Sequence, residues 1–179
     1  MGDYCIRYKT CPCGDKVDVT LIFMREELLY DIKNYAYIEG HVMGEEKQHA
    51  QHTLVDIGEE GNVDRVNRVL AVVHAGVVEM LYPYTKEEVA EDVIDNMMEE
   101  PEEYAIEMRV PRTMSITTIR FIAKLIHEYM VYKVIADWLH ITNPQAASHW
   151  EMKANEMAEK IQSAKNHRTY AFTRKTHPW

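Results

Sequence analysis

The chain has 179 residues, of which 46% are hydrophobic, and its formal net charge is -9. This length suits one domain with a substantial core, and the hydrophobic fraction excludes a chain that is disordered throughout. No apolar run approaches the roughly 18 residues of a membrane span, and an acidic body disfavours broad nucleic-acid binding. The N-terminus lacks the order of a secretory signal and the Ser or Thr of a myristoylation motif, so we expect a soluble protein of intracellular origin.

The three cysteines are bunched at the start of the chain, at Cys5, Cys11 and Cys13. An odd number in this position is not a secreted disulfide framework. Thiolates bind zinc, but a structural zinc site usually takes four ligands, often with two-residue spacings. The cysteines are therefore weak metal candidates, and reduced or partly buried thiols are the favoured interpretation. Residues 1–19 show no clear period and predict an extended or looped lead-in.

Two amphipathic helices are predicted next. The first starts near Thr20 and ends between Gly40 and Gly44. A polar loop over residues 44–62 follows, and Asn62 is expected to cap the second helix. The apolar faces comprise Leu21, Met24, Leu28, Ile32, Tyr35, Ala36 and Val42 in the first helix, with Arg25, Glu26, Asp31 and Lys33 outside that face, and Val66, Val69, Leu70, Val73, Val77, Met80 and Leu81 in the second.

A strongly acidic segment separates these helices from the C-terminal half. Lys86 to Glu107 holds ten acidic residues against one lysine. Its first part, after a capping box that starts at Thr85, could form a helical face. Tyr104 to Val110 alternates apolar and polar residues, which predicts a strand that ends at Pro111. A lone strand needs a neighbour, and the lead-in, residues 89–98 or another copy of the chain could supply it.

Two further helices are predicted after this strand. Ser115 is expected to cap the longest one, which runs to about Thr142 and is apolar around most of its circumference. Such a helix is typical of the buried centre of a bundle. Asn143 and Pro144 then start the last helix, whose short connection makes it an antiparallel neighbour. Its narrow buried stripe is rich in alanine, with members Ala147, Trp150, Ala154, Met157, Ala158, Ile161 and Ala164.

The last twenty residues, Lys160 to Trp179, carry five Lys or Arg and no acidic residue. Aromatic side chains lie between the basic ones without a helical period, so this segment predicts an arm that becomes ordered on a partner, although a solvated terminus has the same composition. We therefore predict a mainly α fold: a helical bundle of about four helices with a small β-hairpin-like insertion and an extended C-terminal arm. The predicted boundaries are a lead-in over 1–19, a helical domain over 20–165 with the insertion near 86–112, and an arm over 166–179.

No catalytic motif is present in the sequence. His127 and Glu128 resemble the start of a zinc-protease motif, but position 131 is Val131 where a second histidine is required. His127 is therefore expected to be a packing or surface residue. Glycine-rich phosphate loops and Gly-x-Ser-x-Gly elbows are absent as well. The sequence predicts no enzyme and no cofactor.

The C-terminal helix pair resembles a known family. The sequence TIRFIAKLIHEYMVYKVIADWLHITNPQAASHWEMKANEMAEKI is similar to the last two helices of the head-to-tail connector proteins of tailed bacteriophages, also called portal adaptors. The preceding LYPYTKEE and EEPEEYAIEMRVP resemble the β-hairpin insertion of that family. The order of helices, insertion and basic tail also matches, over roughly residues 20–179.

This resemblance implies a structural virion protein of the phage neck, made in the cytoplasm of a bacterial host. Family members form a ring, commonly of twelve copies, which binds the portal and extends the channel through which DNA passes without specific binding. The implied partners are the portal, neighbouring copies and further tail or neck proteins. The arm residues that would contact the portal are Arg168, Tyr170, Phe172, Arg174, Lys175 and Trp179.

The residues themselves leave two other functions open. The first is a small binding or regulatory module of a bacterium or mobile element, which docks through its basic arm on a protein or nucleic acid. The second is a metal-dependent enzyme that uses the cysteines and histidines.

Overall fold

The computed structural model describes residues 5–10, 16–42, 55–86 and 101–166. In these ranges the chain is mainly α-helical and includes a small antiparallel sheet, as predicted. The elements in chain order are strand β1 (Cys5–Thr10), strand β2 (Lys16–Met24), helix α1 (Arg25–Val42), a 3-10 turn (Asp56–Gly58), helix α2 (Glu60–Met80), strand β3 (Glu103–Pro111), helix α3 (Ile116–Thr142) and helix α4 (Pro144–Lys165).

The sheet has the order β1-β2-β3, and both strand pairs are antiparallel. Strand β3 is the one predicted from its alternation, and its buried side chains are Tyr104, Ile106, Met108 and Val110. Its partner is strand β2, of which only residues 16–19 belong to the predicted lead-in, one of the three alternatives that the sequence left open, while residues 20–24 come from the stretch predicted to start the first helix. Side chains along a strand point alternately to opposite faces of the sheet, so every second residue of β2 lies on the core-facing side, next to the core-facing residues of β3.

The predicted start of the first helix near Thr20 is wrong. Residues up to Met24 belong to β2, and α1 begins at Arg25. The spacing of Leu21, Met24 and Leu28 fits a helical face, but the same stretch also alternates and is rich in β-branched residues. Pairing with β3 along the whole of β2 decides in favour of the strand.

Helix α3 is the centre of the bundle, as predicted. Thirteen of its residues are buried, and the hydroxyl of Ser115 accepts a hydrogen bond from the backbone N–H of Thr118 at 3.1 Å. Helix α4 follows after Asn143 and packs antiparallel along α3, burying Ala147 and Ala154. No helix in the part of the chain that the structure describes is long and apolar enough to cross a membrane, α3 included.

Helices α1 and α2 pack on α3 through separate contacts, and the 3-10 turn touches both of them. The predicted cap at Asn62 is wrong, because α2 begins at Glu60 with Glu59 at its cap position. The side-chain amide of Asn62 instead donates to the carbonyl of Asp56 at 2.8 Å and holds the turn against the first turn of α2. The core therefore forms one continuous cluster that includes all four helices and the sheet.

Candidate assembly surface

The end of α4 is fixed to the end of α2 by a lysine. The ammonium of Lys165 donates to the carbonyls of Met80 and Tyr82, at 2.7 and 3.0 Å. Carbonyls at a helix C-terminus have no partner within the helix, and the helix dipole favours a cation there. Lys165 thus connects the last turn of α4 to the turn that follows α2, directly before the predicted arm.

A second set of contacts joins the same turn to the sheet. The carbonyl of Tyr84 accepts a hydrogen bond from the backbone N–H of Arg109 at 2.8 Å, and the hydroxyl of Tyr84 lies 3.4 Å from the carbonyl of Lys165. The buried hydroxyl of Thr85 donates to the carbonyl of Val78 at 2.9 Å. The point from which the chain continues beyond Asn166 is therefore held by α2, α4 and β3 together. We call this contact set, Lys165 with the 80–85 turn and Arg109, the arm root.

The predicted site residues are only partly placed. Arg168, Tyr170, Phe172, Arg174, Lys175 and Trp179 lie outside the described residues. Of the weak metal candidates, Cys5 is the first residue of β1, whereas Cys11 and Cys13 fall in the undescribed connection between β1 and β2. Within the ranges that the structure describes, no three His, Cys, Asp or Glu side chains are grouped so that they could hold a metal ion.

A surface groove of about 320 Å³ lies beside the arm root. It runs between the start of α3 and the end of α4 and is lined by Thr118, Phe121, Lys160, Ser163 and Ala164. Phe121 belongs to the apolar set that covers most of the circumference of α3, yet its side chain is 49% exposed on this groove. The ammonium of Lys160 pairs with the Glu156 carboxylate at 2.6 Å, so the groove has a charged rim and one aromatic wall.

His127 is buried, and it bridges helices α1 and α3. Its Nε2–H donates to the carboxylate of Asp31 at 2.7 Å, with the imidazole 5% and the carboxylate 38% exposed. The prediction of a packing residue is confirmed, but Asp31, which the helical pattern put on the outer side of α1, faces α3 instead. A buried imidazole needs a hydrogen-bond partner, and Asp31 supplies one across the α1–α3 contact.

Three aromatic rings continue this contact toward α4. Tyr35, Tyr132 and Trp150 lie edge to face in all three pairs, with centroid distances of 5.3 to 5.8 Å. The Lys153 ammonium lies 4.1 Å from the centre of the Trp150 ring. Burial and, next, the neighbouring Glu128 carboxylate raise the pKa of both tyrosines, so they stay protonated hydrogen-bond donors in neutral solution. Both tyrosines are therefore uncharged, and the cluster stabilises the packing of the helices.

The outer edge of β3 is covered by α2 and the arm root. His74 donates from Nε2 to the carbonyl of Ala105 at 2.9 Å, and Arg109 bonds Tyr84 further along the same edge. Burial lowers the pKa of His74 from its ordinary value, and the bond to Ala105 opposes this effect only in part. The imidazole is therefore neutral at physiological pH. Two outward backbone groups of β3, the carbonyl of Ala105 and the N–H of Arg109, are thus hydrogen-bonded within the chain.

Comparisons of the chain with protein-family profiles, with curated proteins and with solved structures find no match.

Proposed function

We propose that this chain is a structural subunit of a phage neck ring, a head-to-tail connector that binds the portal and extends the DNA channel. The observation that supports this most directly is the arm root. Lys165 and Tyr84 fix the end of α4 to α2 and to the sheet. A docking segment binds at a lower entropic cost when its origin is held rigidly, since the ordering cost is then confined to the arm itself.

The composition of the segment after Asn166 suits this role. This segment includes Arg168, Arg174 and Lys175 with three aromatic residues between and after them, a composition that binds an acidic and apolar groove on another protein. In the proposed assembly the groove belongs to the portal, and neighbouring copies and further neck proteins contact the helical body.

The decisive experiment is co-expression with the portal protein encoded nearest to the gene of this chain, followed by cryo-electron microscopy of the purified particles. We expect ring density on the portal, with residues 167–179 traced along it. A truncation after Asn166 keeps the root intact, so it should remain folded by circular dichroism and yet fail to co-purify with the portal. A variant with charge reversal at Arg168, Arg174 and Lys175 keeps the aromatic side chains, so it tests whether portal binding depends on the basic groups.

A bare portal, with this protein monomeric in the supernatant, would contradict the connector. The same samples then distinguish the regulatory module. If the arm docks on duplex DNA through its three charges, the logarithm of the binding constant should fall with the logarithm of salt concentration with a slope of about -2.7, and the truncation should remove that dependence.

A further inference from the structure

The outer face of α1 is unusually rich in aromatic and apolar side chains. Tyr30, Tyr37 and Ile38 are 71%, 52% and 50% exposed, although the opposite side of the same helix is fully buried in the core. Asn34 and His41 are exposed on the same stripe, and the ring centroids of Tyr37 and His41 lie 4.2 Å apart with the rings tilted by 37°. Tyrosine is enriched in protein interfaces because it provides a large contact area with a polar end.

Helix α2 carries an exposed face of a different kind. Val72 is 73% exposed, and Ala75 and Gly76 follow it on the surface. A methyl group added at Gly76 would meet no atom within 4 Å, so this part of the helix is a shallow open surface. Charged residues lie at the two ends of the stripe, with Arg68 on the N-terminal side and Glu79 on the C-terminal side.

The two faces match in length, size and charge when the helices run parallel. Both stripes extend over twelve residues, whose eleven steps span about 16 Å along a helix. Aligning Tyr30 with Arg68 puts an aromatic ring beside a guanidinium, and His41 then lies opposite Glu79. The bulky pair Tyr37 and Ile38 falls opposite the small pair Ala75 and Gly76. The antiparallel alignment instead puts Tyr30 beside Glu79 and His41 beside Arg68, and it puts Tyr37 opposite the larger Val72, so the match of large with small residues is lost.

We propose that the outer face of α1 in one copy binds the outer face of α2 in the next copy. Because α1 and α2 pack separately on α3 and present different surfaces, this contact is heterologous: each subunit uses one face on each side. Repeated head-to-tail contacts of this kind close into a ring when the rotation between copies permits. The inference rests on the proposed function for its biological setting, and it names the contact by which copies of the neck ring meet.

Two single substitutions test the contact because each blocks one face. Tyr37→Glu blocks α1 and Val72→Glu blocks α2, and both positions are exposed, so the monomer should keep its circular dichroism and its thermal midpoint. A charge buried without a partner should weaken self-association about 30-fold or more, which corresponds to about 2 kcal/mol. Met152→Glu is the matched control, since it puts the same charge on an equally exposed apolar position of α4.

Mixing the two blocked variants gives the sharpest result. A mixture retains one intact α1 face and one intact α2 face, so sedimentation at about 1 mM should show 1:1 dimers that neither variant forms alone. Association of Val72→Glu at the strength of the unmodified chain would overturn the proposal, because an α1–α1 contact does not need α2. Absence of dimers in the mixture would also overturn it.

Cysteine pairs test the parallel register and separate this proposal from the proposed function. Tyr37→Cys mixed with Ala75→Cys should cross-link between copies above the level of each variant alone, and both variants contain the same three native cysteines as their own control. Cross-linking at about 1 mM without portal binding would support the contact and contradict the connector. Portal-bound rings that assemble from the two cysteine variants and give no cross-link would support the connector and contradict the contact.

Discussion

Replacing Trp150 by alanine tests the packing of the three helices around the aromatic cluster. Trp150 is 4% exposed, and its ring meets Tyr35 and Tyr132 edge to face at 5.3 and 5.4 Å. Truncating a buried tryptophan typically costs about 3–5 kcal/mol, and two aromatic contacts put this site near the upper end of that range. A chain of this length loses about 2–4 °C of thermal midpoint per kcal/mol, so we expect a decrease of roughly 10–15 °C.

The assay is urea denaturation followed by circular dichroism, because the substitution removes a fluorophore. Trp150→Phe is the matched control. It keeps a ring against both tyrosines and removes an indole N–H that has no hydrogen-bond partner among the described residues, so its cost should stay below about 1.5 kcal/mol. If both variants lost the same stability, the indole itself and not the filled volume would be responsible, and the packing argument would be refuted.

The remaining predictions concern the arm root and the response to pH. Lys165→Met should cost about 1–2 kcal/mol in urea denaturation, since the last carbonyl of α2 and a carbonyl of the following turn lose their donor, whereas Lys160→Met, which loses only an exposed ion pair, should cost about 0.5 kcal/mol or less. The pKa of His74 is lowered in the folded state, so folding favours the neutral imidazole. The contribution of His74 to the free energy of unfolding is therefore fully present above about pH 6.5 and decreases as the pH falls below that value. Urea denaturation at a series of pH values should show a smaller slope of unfolding free energy against pH in His74→Gln, which keeps a donor for Ala105. An unchanged slope would exclude His74 as the cause of this pH dependence. The raised pKa of Tyr132 acts in the opposite direction. Its contribution to the free energy of unfolding is fully present below about pH 10 and is lost as the pH rises above that value, so Tyr132→Phe should show a smaller loss of stability in alkaline solution.

The helix pair α3–α4 could be predicted from sequence because its signals are local. A cap at Ser115, an apolar circumference and the Asn143-Pro144 restart all lie within the segment that they define. Strand β3 could be predicted for the same reason, because its alternation of apolar and polar residues lies within nine residues. Its partner was not, since the paired residues of β2 lie 79 to 95 positions earlier and three candidates satisfied the same local requirement.

The polar contacts were beyond the reach of sequence patterns. Asp31 and His127 are 96 positions apart, and only the packing of α1 on α3 brings the carboxylate onto the imidazole. The arm root is similar, since Lys165 reaches carbonyls 83 and 85 positions earlier. The sequence did contain one signal for each contact. A histidine among apolar residues of a helix needs a hydrogen-bond partner, and a lysine in the last turn of a helix often binds terminal carbonyls.

Two weak interactions can together account for an assembly that forms only on its partner. A contact between one α1 face and one α2 face involves few large side chains, and a dissociation constant near 1 mM corresponds to only about 4 kcal/mol. Such a protein is monomeric at micromolar concentration. An arm held at a fixed root changes this balance, because docking on a shared platform gives neighbouring subunits an effective concentration in the millimolar range. Each subunit then gains two face contacts and one arm contact in the same step. Loss of either face should therefore leave single subunits bound through their arms but reduce the occupancy of neighbouring positions, and loss of the arm should abolish both.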